Sequence, residues 1–139
     1  MPSRWMAAQN KMAAKILFAD DDPLMRRLYE RHIERAGYTL VGATNGREAV
    51  EVALREKPQL AIVDIMMPEM DGLSAVLELK KAEATKAMPV IVITADTKYY
   101  LYQREFTKAG AAVFLTKPFG PAQLLEAIRR LLPGATTVS

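Results

Sequence analysis

The sequence predicts a single α/β domain, a parallel sheet wound with helices on both faces. Three observations carry that expectation. Apolar periodicity alternates five times between short runs and longer stretches with helical spacing. Glycine and proline fall at the joins. Four of the apolar runs end in polar residues: Ile16-Leu17-Phe18-Ala19 leads into Asp20-Asp21, Leu60-Ala61-Ile62-Val63 into Asp64, Val90-Ile91-Val92-Ile93 into Thr94, and Val113-Phe114-Leu115-Thr116 into Lys117. Runs that are apolar throughout suit strands covered on both faces. In open α/β sheets, ligands bind at the carboxyl ends of the strands. Three carboxylates, a hydroxyl and an ammonium are therefore expected at one edge.

The elements follow in order. The first strand is Lys15–Ala19. Pro23 opens a helix with an apolar stripe of Leu24, Met25, Leu28, Tyr29, Ile33 and Ala36, and Gly37 ends it. Tyr38–Ala43 is a shorter second strand. Asn45 with Glu48 three residues on has the spacing of a capping box. The helix it opens has Ala49, Val50, Ala53 and Leu54 on one face and stops before Pro58. Gln59–Asp64 is the third strand. Leu73, Val76 and Leu77 mark a third helix, and Pro89 precedes the fourth strand. A fourth helix covers roughly 98–109, with Tyr99, Tyr102, Phe106 and Ala109 in line and Gly110 at its end. The fifth strand is Ala112–Thr116. Pro121 starts the last helix, with Leu124, Leu125, Ile128, Leu131 and Leu132 inward, and Pro133-Gly134 stops it. Right-handed crossovers join such units into a doubly wound sheet, but the five units alone leave the strand order open.

At 139 residues one domain with a real core is the natural reading. Residues 1–14 read as an N-terminal extension, 15–133 as the domain and 134–139 as a short polar tail; Trp5 and Met6 are candidates to pack on the body. There is no cysteine, which excludes disulfides and thiolate metal sites and fits a reducing compartment. No apolar stretch reaches membrane-spanning length, and residues 1–15 lack a secretory h-region. A cytoplasmic protein is expected. The pI near 9.2 invites a nucleic-acid reading, but the charge map weakens it. Arg4, Lys11 and Lys15 stand among the first fifteen residues with no acid. Removing them from the 19 Lys and Arg leaves 16, equal to the 16 Asp and Glu. The body lacks the basic excess of a nucleic-acid binder.

Asp20, Asp21 and Asp64 brought together are costly unless protonated or neutralised by a cation. All-oxygen ligands suit a hard ion, Mg²⁺ or Mn²⁺. Aspartate is an acceptor in covalent phosphoryl transfer, Lys117 can pair with a phosphoryl oxygen, and Thr94 can donate to it. Taken singly, each residue has a plainer reading: strand-end aspartates cap and turn, and Thr94 and Lys117 are surface residues. Their occurrence at successive strand ends favours the joint reading.

The motifs Ala19-Asp20-Asp21-Asp22, Asp64-Ile65-Met66-Met67-Pro68-Glu69-Met70-Asp71-Gly72, Ile93-Thr94-Ala95 and Lys117-Pro118-Phe119 resemble the receiver domain of two-component response regulators, chemotaxis regulators among them, over about 15–132. That resemblance implies a flavodoxin-like five-stranded sheet of order 2-1-3-4-5 with five helices. It implies Asp64 as phosphoacceptor; Asp21 as a direct metal ligand and Asp20 mainly through water; and the Met66 carbonyl as the remaining protein ligand. Thr94 would move toward the phosphoryl group past the small Ala95, Lys117 would bind it, and a cis bond to Pro118 is expected. The switch aromatic maps to Phe114, where many receivers have Tyr. The packing half of a switch is then expected without the hydroxyl half. Met66 and Asp96 occupy the positions that tune phosphoryl lifetime, Met66 restricting the attacking water and Asp96 keeping the approach polar.

Other residues have plainer roles. His32, the only histidine, reads as a helix-boundary packing residue rather than a phosphotransfer group. Asp22 reads as the cap of the Pro23 helix, although with Asp20 it also matches the D-x-D of haloacid-dehalogenase-type phosphatases. Asp71 reads as a cap or turn residue. Tyr99 and Tyr102 read as packing residues, and Tyr100 as outward-facing. The resemblance implies a phosphorylation-controlled switch, charged by a histidine kinase or histidine phosphotransfer protein with Mg²⁺ and catalysing only its own phosphorylation and dephosphorylation. Its output partner would meet the fourth helix, fifth strand and fifth helix; no membrane or direct nucleic-acid contact is expected. Alternatives are a relay or adaptor, a receiver belonging to a larger kinase or transcription factor, a Mg²⁺-dependent aspartyl-phosphate phosphatase, and a flavodoxin. The acidic edge argues against the last, since it would repel a flavin phosphate.

Overall fold

The computed structural model describes residues 14–67, 69–95 and 100–132, with residues 100 and 101 as backbone only. Expectations for Trp5, Met6, Asp96, Tyr99, the Tyr100 side chain and the C-terminal tail lie outside the described residues. The strands are β1 (Lys15–Ala19), β2 (Thr39–Ala43), β3 (Leu60–Asp64), β4 (Val90–Thr94) and β5 (Val113–Thr116). The helices are α1 (Pro23–Arg35), α2 (Gly46–Glu56), α3 (Gly72–Lys81), α4 (Tyr100–Ala109) and α5 (Pro121–Leu131). All four strand pairings are parallel and the order is β2-β1-β3-β4-β5. This is the flavodoxin-like doubly wound α/β fold.

Strand side chains alternate between two cores, as the period of two requires. Ile16, Phe18, Leu60, Ile62, Ile91 and Ile93 pack with Tyr29 and Ile33 of α1 and Leu124 and Ile128 of α5. Leu17, Ala19, Ala61, Val63, Val90 and Val92 pack with α2, α3 and Phe106 of α4. The bulkier strand residues thus meet two helices, and the smaller ones meet three. Ala14 is fully buried, and its carbonyl accepts from the Thr39 N–H at 2.9 Å, beside the start of β1.

The caps follow local chemistry. The Asp22 carboxylate accepts from the N–H groups of Leu24 and Met25, and Asp71 from that of Ser74. Asn45 accepts from Glu48 N–H at 2.7 Å, but Glu48 returns its bond to the N–H of Thr44 at 2.6 Å rather than to Asn45. The box is therefore shifted by one residue on its return side.

Several predicted stripes are rotated. Leu24 is 77% exposed and Leu28 49%, so α1 buries only Tyr29 and Ile33 fully. On α2 the buried face is Ala49, Val52 and Ala53, and Leu54 is exposed. On α3 it is Ala75, Val76 and Leu79, and Leu77 is exposed. On α4, Tyr102 is exposed rather than packed, while Phe106 is buried. Helical periodicity proposes a stripe, but the curvature of the sheet decides which edge of the stripe reaches it.

Candidate functional site

The carboxyl ends of β1, β3, β4 and β5 deliver the polar residues to one edge. Asp20 follows β1, Asp64 ends β3, Thr94 ends β4, and Lys117 follows β5. Asp20, Asp64 and Thr94 are buried, and Asp21 is exposed. One carboxylate oxygen from each of Asp20, Asp21 and Asp64 lies within 4.8 Å of the others.

Lys117 sits between the two buried carboxylates. Its Nζ is 2.8 Å from Asp20 Oδ2 and 2.8 Å from Asp64 Oδ2. The remaining oxygens are satisfied by the backbone: Asp20 Oδ1 accepts from Asp22 N–H and Asp64 Oδ1 from Met66 N–H, both at 3.0 Å. Each buried aspartate therefore has one oxygen held by a local turn and the other by the lysine.

Burial, more than any other cause, pushes the Asp64 carboxyl above the ordinary carboxylate range. The neighbouring charge of Asp20 adds to this, and the hydrogen bonds from Lys117 and Met66 oppose it. For Lys117, burial favours the neutral amine, but the hydrogen bonds and charges of Asp20 and Asp64 outweigh it and hold the ammonium above its usual range.

Close packing supports the edge from below. A Cβ on Gly72 would lie 2.6 Å from the Asp64 carbonyl oxygen, so only glycine lets α3 start against the end of β3. A Cβ on Gly46 would overlap the Met70 carbonyl, so α2 begins tight against the same loop. Glu69, a non-glycine residue, takes a left-handed φ of 69° there. Met66 is 66% exposed and lines, with Asp21, Met67 and Asp71, an open cleft of about 390 Å³ beside the acidic group.

Ala95 is exposed directly after β4. The Lys117 N–H donates to the Thr94 carbonyl. Phe114, half-buried, makes an edge contact with Phe106 at 5.6 Å. The Lys117–Pro118 peptide bond is cis. His32 is half-buried in the last turn of α1. Two residues had no functional signal in sequence. Arg26 Nη1 donates to the Asp20 carbonyl at 3.1 Å, and the Tyr29 hydroxyl donates to the Phe119 carbonyl at 2.9 Å.

The oxygen-only donor set and the mutual distance of the three carboxylates fit a divalent cation such as Mg²⁺. No described helix is long and apolar enough to cross a membrane.

The fold and this acidic edge define a class of signalling module, and the chain belongs to the response regulator receiver domain family, whose profile matches residues 16–129. Its chemistry is that of receivers, which catalyse only their own phosphorylation and dephosphorylation, in partnership with histidine kinases or phosphotransfer proteins. Among its relatives, the chemotaxis protein CheY of Thermotoga maritima is 37% identical over 121 residues, covering 86% of this chain and 98% of that protein. The alkaline phosphatase synthesis transcriptional regulatory protein PhoP of Bacillus subtilis is 32% identical over 126 residues; the match covers 87% of this chain but only 49% of that longer protein. The chemotaxis response regulator CheY4 of Vibrio cholerae has a similar structure, with a TM-score of 0.80 and 32% identity over 86% of this chain and 99% of that one. So does the receiver domain of the sensor histidine kinase PA1611 of Pseudomonas aeruginosa, solved with magnesium in its active-site cleft, with a TM-score of 0.80 and 27% identity over 88% and 99%.

Proposed function

We propose that Asp64 accepts a phosphoryl group from the phosphohistidine of a kinase or phosphotransfer protein. A carboxylate oxygen of Asp64 forms the new O–P bond as the P–N bond to the donor imidazole breaks, and the electron pair leaves with the imidazole. The observation that supports this best is the Asp64 environment: a carboxylate at a strand end beside an open cleft, with a cationic side chain 2.8 Å away.

Asp20, Asp21 and Asp64, with the Met66 carbonyl, would hold Mg²⁺, Asp20 mainly through water. When bound, the ion supplies positive charge shared between the carboxylates and the phosphoryl oxygens. Lys117 then exchanges its carboxylate partners for a phosphoryl oxygen. The Thr94 hydroxyl donates to another, with Ala95 leaving room beside it. Phe114 adjusts its packing as Thr94 moves, which biases a pre-existing equilibrium of the α4, β5 and α5 surface toward a partner-binding form. The exposed Tyr102 belongs to α4. Met66 and Asp96 set how readily water reaches the acyl phosphate. This reading places the protein in the cytoplasm, where its kinase domain partners act. Residues 15–133 form the receiver, with 1–14 and 134–139 as flanking segments.

The test is labelling with acetyl phosphate and Mg²⁺. Wild type gains one acid-stable, base-labile phosphate per chain, and Asp64→Asn gains none; labelling that survives this substitution overturns the assignment. Steady turnover of small phosphate esters in place of single labelling would favour a phosphatase. After removal of the donor, Met66→Asn loses its label faster than wild type, and an unchanged rate sinks the lifetime role of Met66.

A further inference from the structure

We propose that Tyr29 is a positioning residue for Lys117, tying the loop that bears the lysine to α1. The proposal rests on the reading of Lys117 as the group that binds the phosphoryl oxygen.

Lys117 has a long, flexible side chain, so its Nζ reaches two carboxylates at 2.8 Å only if its backbone is anchored. One anchor is local to the sheet: its N–H donates to the Thr94 carbonyl. Beyond the lysine, the Gly120 carbonyl accepts from the N–H groups of Gln123 and Leu124 and so ties the loop to α5, which leaves its position against α1 to other contacts. Pro118 and Gly120 are exposed, and apart from its chain neighbours no residue comes within 4 Å of where a Cβ on Gly120 would be. Phe119 alone turns inward, at 6% exposure.

Tyr29 receives it. The two rings stack at 4.7 Å and 25°, and the Tyr29 ring also stacks with Phe18 of β1 at 6.2 Å and 16°. The Tyr29 hydroxyl donates to the Phe119 carbonyl at 2.9 Å. That carbonyl belongs to the residue two positions past the lysine, just before α5 begins. The bond is buried, and it satisfies both a hydroxyl and a backbone acceptor that would otherwise be stranded. A residue that only filled the core would not need the hydroxyl. The ring gives packing, and the hydroxyl gives the loop a fixed distance from α1.

Tyr29→Phe separates the two contributions, because it keeps the ring and removes the bond. The measurements on the full chain are the thermal unfolding midpoint, the Mg²⁺ concentration for half-maximal labelling, and the rate of phosphorylation by acetyl phosphate at saturating Mg²⁺. The expected result is a rate about fivefold lower, the loss typical of one neutral buried hydrogen bond. The Mg²⁺ half-saturation does not rise, because the three carboxylates are untouched and a loosened ammonium competes less with the ion for Asp20 and Asp64. A rate equal to wild type overturns the proposal. So does a variant in which midpoint, Mg²⁺ half-saturation and rate all worsen together, since that is a general loss of structure. Wild type that takes no phosphate on Asp64 fails at the earlier step, and overturns the functional reading and this proposal with it.

Discussion

Asp64 is buried beside another buried carboxylate, and its proton is held more tightly in the folded chain than in the unfolded one. The sign of the consequence follows from linkage. Below the ordinary value of 3.8 the carboxyl is protonated in both states and costs nothing. As pH rises through its folded value it ionises, and folding bears the full cost above that. Asp64→Asn removes this cost, while Lys117 keeps Asp20 as a partner. The variant is expected to melt a few degrees above wild type near neutral pH, with the difference closing as pH falls toward 3.8. Calorimetry across the acid range measures this, and a variant that melts lower at neutral pH refutes it. Lys117 acts in the opposite direction. Its raised value means that its contribution is complete below about 10.5 and is lost as pH climbs through the folded value.

Among the elements, α1 departs most from the expectation for it. A stripe of six apolar residues was legible, yet Leu24 and Leu28 face solvent, flanked by the exposed Arg27 and Arg31. The helix begins immediately after Asp22, so this outer ridge adjoins the acidic edge. An exposed apolar pair flanked by two arginines has the make-up of a protein-contact patch. Leu24→Ala with Arg27→Glu is expected to slow phosphotransfer from a cognate histidine kinase at least tenfold, the loss of one hot-spot contact. Labelling by acetyl phosphate, which needs no protein docking, stays at the wild-type rate. Equal loss with both donors would place the defect in the site rather than on the helix. The inner face of the same helix was legible only in part. Nothing in the local sequence marks the bond from Arg26 to the Asp20 carbonyl or the bond from Tyr29 to the Phe119 carbonyl, which lies 90 residues away.

For the whole molecule, three like charges drawn to one edge are a cost of folding that a bound cation relieves. Mg²⁺ is expected to raise the unfolding midpoint by mass action, equivalent to about 2.7 kcal/mol at a hundredfold excess over Kd. Asp20→Asn, which removes one carboxylate, should lose most of that gain; a midpoint indifferent to Mg²⁺ would count against the metal site. Local patterns along the chain already carry the alternation of five strands and five helices and the caps at Asp22 and Asp71. They also place a polar residue at the end of each of four strands, because periodicity, proline, glycine and short polar side chains act over a few residues. The motifs at those strand ends point to the family and hence to the strand order. Packing in the folded chain is what sets Lys117 between Asp20 and Asp64, turns Leu24, Leu28 and Tyr102 outward, and brings Tyr29 against Phe119. Those contacts join residues distant in the chain, and they depend on how each helix is rotated on a twisted sheet, which no local pattern encodes.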